Sequence, residues 1–166
     1  MPFLKPGDYF GDQELGLEIV FNTEVLAHFD RYRQTSCWKR EAGGQLFSVI
    51  SEKQWQIVKA TGPRLSDFRR RFQFFPDHIA EQSEINELFN SGLHYVGDWH
   101  THPEARPKPS QLDLSSMTET VRNSIHQLPG FLMVISGTED CPAGLWVSFH
   151  LAVGAHRQLL AFKRSD

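Results

Sequence analysis

Residues 93–103, LHYVGDWHTHP, constrain this chain more tightly than any other stretch. Leu93 to Thr101 reads as a strand, and Pro103 can neither donate to a ladder nor extend it, so the strand must end beside His102. The proline-rich loop EARPKP follows, and Ser110 then opens the helix SQLDLSSMTETVRNSIHQ with an acid three residues on, the pattern of a capping box. Strand, stop, stiff loop and capped helix in this order let a loop and a helix close over the end of a strand.

The remaining elements are read around this unit. Residues 1–18 are rich in turn formers and read as an N-terminal arm, with 19–166 as a single domain; the apolar stretch 17–21 feeds a strand into the fold. Thr23 can cap a helix that carries Val25, Leu26 and Phe29 on one stripe to about Arg33. Gly43 and Gly44 introduce an apolar run over 45–50, and a second run over 55–60 follows SEKQ, so the two read as a hairpin. Residues 69–75 alternate aromatic and polar side chains and read as one strand stopped by Pro76. Ile79, Ile85, Leu88 and Phe89 mark a helix over 78–89 that Ser91-Gly92 terminates. Strands over 131–136, 145–151 and 156–162 complete a mixed α/β class: one domain with a mixed, mostly antiparallel sheet flanked by helices.

Composition narrows the function. The 166 residues, 40% of them apolar, suffice for a core without disulfide staples. Seventeen basic against twenty acidic residues give a net charge of −3 without a basic footprint, so no nucleic-acid partner is expected. Arg69-Arg70-Arg71 is the local exception, read either as the solvated face of an edge strand or as a grip for an acidic partner. Cys37 and Cys141 do not suggest a disulfide framework. The opening residues lack the basic start and apolar run of a secretion signal, and no eighteen apolar residues follow one another. The expectation is a soluble cytoplasmic protein with no membrane partner.

His100 and His102 are the chemical centre of this reading. Residues two apart on a strand share a face with Cα atoms about 6.6 Å apart, so the two imidazoles can converge on one ion. Asp113, at the start of the following helix, would complete three protein ligands and leave a fourth position for water, the arrangement of catalytic zinc. Helix capping alone would explain Ser110 and Asp113 but would leave two histidines on one strand face without a use. Independent draws from this composition give His-x-His, seven residues and Ser-x-x-Asp on the order of once in a thousand chains of this size. Glu41, just before Gly43-Gly44, reads by itself as an ordinary turn residue.

HTHPEARPKPSQLD resembles the HxHP, SxxD signature of the JAMM peptidases, also called the JAB or MPN-plus family, and EAGGQLFS resembles the family's upstream glutamate segment. The resemblance implies the cytidine-deaminase-like JAMM fold and one catalytic Zn2+ held by His100, His102 and Asp113. It makes Glu41 the acid–base residue and Ser110 a donor to the developing oxyanion. Ser48 stands where many relatives have glycine, a departure that touches packing rather than chemistry. The resemblance further implies cleavage of the amide bond after the C-terminus of a ubiquitin-like protein. The short chain is similar to the bacterial JAB peptidases encoded with CBASS antiphage systems, which release a conjugated CD-NTase nucleotide cyclase. Two other readings stay open: trimming of a ubiquitin-fold sulfur carrier, and an MPN-type scaffold without catalysis. A DNA-repair role of the RadC kind is disfavoured by the acidic balance.

Other candidates receive bland readings. His94 shares simple strand parity with His100 but lies too far back to reach the same ion. His28, His78, His126, His150 and His156 have no partner at ligand spacing, and Cys37 is not read as a nucleophile. Trp38, Trp55, Trp99 and Trp146 are expected in the core or in a groove wall.

Overall fold

The computed structural model describes residues 9–164. In chain order these form β1 (Tyr9–Asp12), β2 (Leu17–Phe21), α1 (Thr23–Tyr32), β3 (Gly43–Ile50), β4 (Gln54–Ala60), β5 (Phe68–Arg70), β6 (Gln73–Phe75), α2 (His78–Asn90), β7 (His94–Thr101), α3 (Gln111–Asn123), β8 (Gly130–Ser136), β9 (Leu145–Leu151), β10 (His156–Gln158) and β11 (Leu160–Phe162). Nine strands make one sheet in the order β10-β9-β8-β7-β3-β4-β2-β1-β11. Only the β2–β4 and β7–β8 pairs in it are parallel. The mixed, mostly antiparallel α/β class read from the sequence is the class observed. No helix among the described residues is long and apolar enough to cross a membrane.

The sheet is rolled. Four strand spacings of about 4.8 Å would put β4 and β9 roughly 19 Å apart if it were flat, yet the Trp55 and Phe149 rings meet at 5.5 Å. Inside the roll lie Ile19, Phe21, Leu46, Ile57, Leu132 and Val134, closed on one side by Val25 and Phe29 of α1. Each such side chain contributes about 1.5–3 kcal/mol by leaving water. Phe131, Met133 and Ile135 point the other way, onto Met117 and Val121 of α3. Covered on both faces, β8 reads in sequence as an unbroken apolar run.

Several boundaries differ from the sequence reading. Residues 156–162 are two strands broken at Leu159, whose buried side chain and N–H bond to Val147 turn the chain from one edge of the sheet to the other. β10 therefore pairs with β9 and β11 with β1. Arg157 ties these edges together, reaching Asp12 at 2.9 Å and Glu14 at 2.7 Å. Residues 69–75 are not one strand but arms of the hairpin β5–β6, which pairs Phe68 with Phe75 and Arg69 with Phe74 in a separate two-stranded sheet. Folding back satisfies the hydrogen bonds that a lone strand beside the rolled sheet would leave open. α2 forms where expected, with Asp77 capping the N–H groups of Ile79 and Ala80. Its stripe is not buried, however, and Ile79 and Phe89 are exposed. α1 begins at Thr23 with Asn22 in the cap position, and α3 ends at Asn123, short of Gln127. Of the expected arm, Tyr9–Asp12 is a strand of the sheet, while 1–8 lie outside the described residues.

A bulge in β7 sets the faces of the strand that matters most. The β3–β7 register shifts between Leu46 and Phe47, which leaves Val96 without an opposite residue. Gly97 takes φ 148°, and a Cβ there would stand 1.9 Å from the Leu132 carbonyl oxygen, so only glycine fits. Tyr95 packs on Phe131, Val96 points inward, and the Tyr95 hydroxyl donates to Asp98 at 2.9 Å. Asp98 and His100 thus share a face with Tyr95 and not with His94, contrary to simple parity, and His94 sits against Phe89 at 5.7 Å.

His150 is buried on β9, bonded to Ser148 at 2.9 Å and stacked on His156 at 5.1 Å. Burial, with His156 beside it, lowers its pKa to about 4. A histidine whose pKa falls on folding binds fewer protons in the native state, so its stabilising effect is complete above about 6.5 and declines as pH falls toward 4. Urea denaturation should show His150→Gln losing less stability than wild type between those limits, by up to about 3 kcal/mol.

Candidate metal centre

Two glycines bring the upstream segment against β7. Gly43 lies opposite His100 and Gly44 opposite Trp99. A Cβ on Gly44 would stand 1.8 Å from the Thr61 carbonyl oxygen, and one on Gly43 would stand 2.7 Å from the Phe74 ring. No larger residue could lie between β7, the 61–62 segment and the β5–β6 hairpin. Glu41 therefore leads directly into the strand that flanks the two histidines.

His100, His102 and Asp113 converge as the sequence predicts. The two Nε2 atoms are 3.2 Å apart; Asp113 Oδ1 is 3.3 Å from that of His100, and Oδ2 is 3.2 Å from that of His102. Donors about 2.05 Å from one tetrahedral ion would be separated by about 3.3 Å. The spacing and the imidazole–carboxylate chemistry both fit a divalent metal, and one ligand atom from each residue lies within 4.8 Å of the others. His102 Nδ1 makes no hydrogen bond but is 3.4 Å from the Glu104 carboxylate, where a ligating imidazole commonly has its orienting partner.

Capping and ligation turn out not to be alternatives. Asp113 Oδ2 accepts from the Ser110 N–H at 2.8 Å, and Ser110 Oγ accepts from the Asp113 N–H at 3.1 Å. The capping box fixes the same carboxylate that faces the histidines. Burial would raise the pKa of Asp113, but its bonds to His100 and His102 hold it well below the usual carboxylate range. His102 shows the complementary change: burial opposes its charge, yet Asp113, Glu41 and Glu104 together raise its pKa.

Glu41 stands in the same cleft. Its pKa is raised, first by burial and then by Asp113, against the opposing pull of His100 and His102. Its backbone is held on both sides by the hairpin: the Glu41 N–H donates to the Arg70 carbonyl at 2.7 Å, and Arg69 Nε donates to the Glu41 carbonyl at 2.8 Å. Behind it lies the buried amide of Gln34. Thr101, between the two histidines, donates its hydroxyl to Gln34 Oε1 at 2.8 Å and accepts from the Ala42 N–H at 3.0 Å. Gln34 Nε2 donates to the carbonyls of Arg71 at 2.7 Å and Lys39 at 3.3 Å. One side chain thus joins the histidine strand, the Glu41 segment and the hairpin.

The cleft over these groups has a volume of about 490 Å³, with Glu41, Phe74, Leu112 and Met117 in its walls and Asp98 and Glu81 beyond His100. Burial raises both of those carboxyls to about 7, with Glu81 adding to the rise at Asp98, and with Asp67, Glu84 and Asp77 acting against the pull of Arg64 at Glu81.

Residues 25–151 match the family described as prokaryotic homologs of the JAB domain. The chain belongs to this family. A CD-NTase/cGAS isopeptidase of Escherichia coli is 32% identical over 132 residues, 78% of this chain and 80% of the relative. One from Vibrio cholerae is 31% identical over 125 residues, 74% and 78% of the two chains. A probable metalloprotease of Sinorhizobium fredii is 31% identical over 114 residues, 64% and 70%. These names point to a peptidase or isopeptidase, and the resemblance to the JAB family stated from the motifs is borne out. The solution structure of a Desulfitobacterium hafniense protein superposes with a TM-score of 0.57 at 16% identity, over 84% of this chain and 88% of that one, which shows likeness of fold.

Within this JAB domain the sequence reading passed over Asp98, Glu81 and Gln34. Asp98 carried a signal, since it shares alternation with His100 and His102; Glu81 and Gln34 reach the site through tertiary packing alone. Of the tryptophans, Trp55 and Trp99 are buried in the core, but Trp38 is exposed, contrary to expectation. Gln34→Ala would leave two carbonyls and a hydroxyl without their partner in the interior. It should lower stability by about 2 kcal/mol or more, read from urea denaturation.

Proposed function

We propose that this JAB-family chain is a zinc-dependent isopeptidase that cleaves the amide bond after the C-terminus of a ubiquitin-like protein. His100, His102 and Asp113 are the metal ligands in this reading, Glu41 is the acid–base residue and Ser110 the oxyanion donor. The observation that carries it is the convergence of two imidazole nitrogens and the Asp113 carboxylate, each imidazole 3.2–3.3 Å from the other and from one carboxylate oxygen, with the half-buried Glu41 carboxyl in the same cleft. The names of the Escherichia coli and Vibrio cholerae relatives support a conjugated CD-NTase nucleotide cyclase as the target, and with it a role in antiviral defence.

Bound at this site, zinc supplies Lewis acidity, which favours ionisation of water and polarises a carbonyl oxygen. The Glu41 carboxylate takes the proton of the attacking water and returns it to the departing amine nitrogen. Burial suits it to both tasks, because a raised pKa makes the carboxylate a stronger base and keeps more of its acid form present to donate. Ser110 Oγ already accepts from the Asp113 N–H, so its own O–H is left to donate to the oxygen that gains charge. Complete retention of the ligand set and Glu41 argues against the scaffold reading.

Two measurements test this. Glu41→Gln should keep one equivalent of zinc by elemental analysis while cleavage of a ubiquitin-like fusion falls by about 10²-fold or more; a variant as fast as wild type removes Glu41 from the mechanism. Chelation should stop cleavage by the wild type, and added zinc should restore it; activity indifferent to full metal removal overturns the proposal.

A further inference from the structure

The arginine triplet is not merely a solvated strand face. Arg69 sits with its Nε on the Glu41 carbonyl, and Arg71 Nη1 donates to the Ser36 carbonyl at 3.2 Å. Two cations are thus clamped by backbone oxygens to the segment that carries Glu41, with Arg40 and Arg70 exposed beside them. Among the described residues no carboxylate comes within 4.0 Å of any of these four guanidinium groups. Arg33, Arg64, Arg106 and Arg157, by contrast, each have one. The Arg70 and Arg71 groups lie over the exposed rings of Phe68 and Phe72, at 5.0 and 5.2 Å from the centroids. Arginine over an aromatic ring is the composition of protein-contact hot spots.

Like charges held together without counterions repel, and an anion placed among them relieves that cost. Burial and the neighbouring Arg40 lower the pKa of Arg69, a sign of the same crowding. Phe72 and Phe74 of the hairpin also line the cleft over the metal ligands, so a chain lying in the cleft continues over this surface. The net charge of −3 repels a long polyanion, whereas a short acidic peptide senses chiefly the local field within a Debye length of about 8–10 Å.

We infer that Arg40, Arg69, Arg70 and Arg71 form a docking surface for an acidic segment of the protein substrate adjacent to the scissile bond. This rests on the isopeptidase reading and names the chemistry of its substrate. Fusions of ubiquitin with an acidic, a neutral or a basic flank, placed on either side of the scissile bond in turn, test it. At low salt the wild type should cleave one acidic-flank series with a KM about tenfold below that of the neutral flank and an unchanged kcat, and the advantage should shrink at high salt. The double variant Arg40→Glu/Arg70→Glu changes side chains that make no bond to the Glu41 segment. It should cleave the neutral flank like wild type and lose the preference. Equal KM for all flanks, or a variant that keeps the preference, overturns the proposal.

Should the wild type cleave no fusion, the isopeptidase reading fails, and the surface is decided separately by anisotropy of a fluorescein-labelled acidic peptide. Binding that disappears in the double variant, at an unchanged unfolding midpoint, supports it, and absence of binding overturns it. An oligonucleotide of equal charge bound as tightly as the peptide overturns the assignment to a protein segment.

Discussion

The bulge at Val96–Gly97 is the constraint on which the site depends. A strand without it would place Tyr95 and Asp98 on opposite faces, since they are three residues apart. With it, Tyr95 anchors one face on Phe131 while Asp98, His100 and His102 continue along that same face. Trp99 and Thr101 meanwhile point inward, where Trp99 Nε1 donates to the Thr61 carbonyl at 2.8 Å and Thr101 meets Gln34. The inward Trp99 and Thr101 thus fix neighbouring segments, while Asp98, His100 and His102 line the cleft. The carbonyl of Leu132, directly behind Gly97, leaves no room for a side chain that would spoil this alternation.

Folding bonds and functional geometry coincide at the start of α3. The reciprocal bonds of Ser110 and Asp113 satisfy helix N–H groups that would otherwise lack partners, an effect worth about 1 kcal/mol in a typical cap. The same bonds orient the carboxylate that faces both imidazoles. Orientation of a ligand in advance removes the entropy that a mobile aspartate would lose on binding an ion. The glycine pair that opens β3 does similar work on the other side, since close packing against Thr61 and Phe74 leaves the Glu41 segment little freedom.

Local chemistry made some of this legible in the sequence and tertiary packing hid the rest. His100, His102 and Asp113 could be read because strand parity, a proline stop and a capping pattern are short-range rules. Glu41 could not be read from spacing, because the contact that gives it meaning crosses from β3 to β7; resemblance to a family supplied it. The hairpin at 68–75 was misread as one strand because alternation is the same in a strand and in two short arms, and nothing local announces the turn at Arg71–Phe72. Leu159 escaped for the opposite reason: one buried leucine in a strand-like run gives no sign that its flanks pair with different edges. The apolar stripe of α2 marked the helix, but burial depends on what lies opposite, and Ile79 and Phe89 face solvent.

The corner at Leu159 also bears on how the protein can be made. A growing chain that has emerged only to Gln158 can assemble most of the sheet, but the hydrogen-bonding edge of β1 stays bare until Leu160–Phe162 arrive to cover it. The bare edge is an invitation to strand pairing with other chains. Strands near the beginning of the sequence thus wait for residues near its close, and the interval between them is when this fold is most exposed to mispairing.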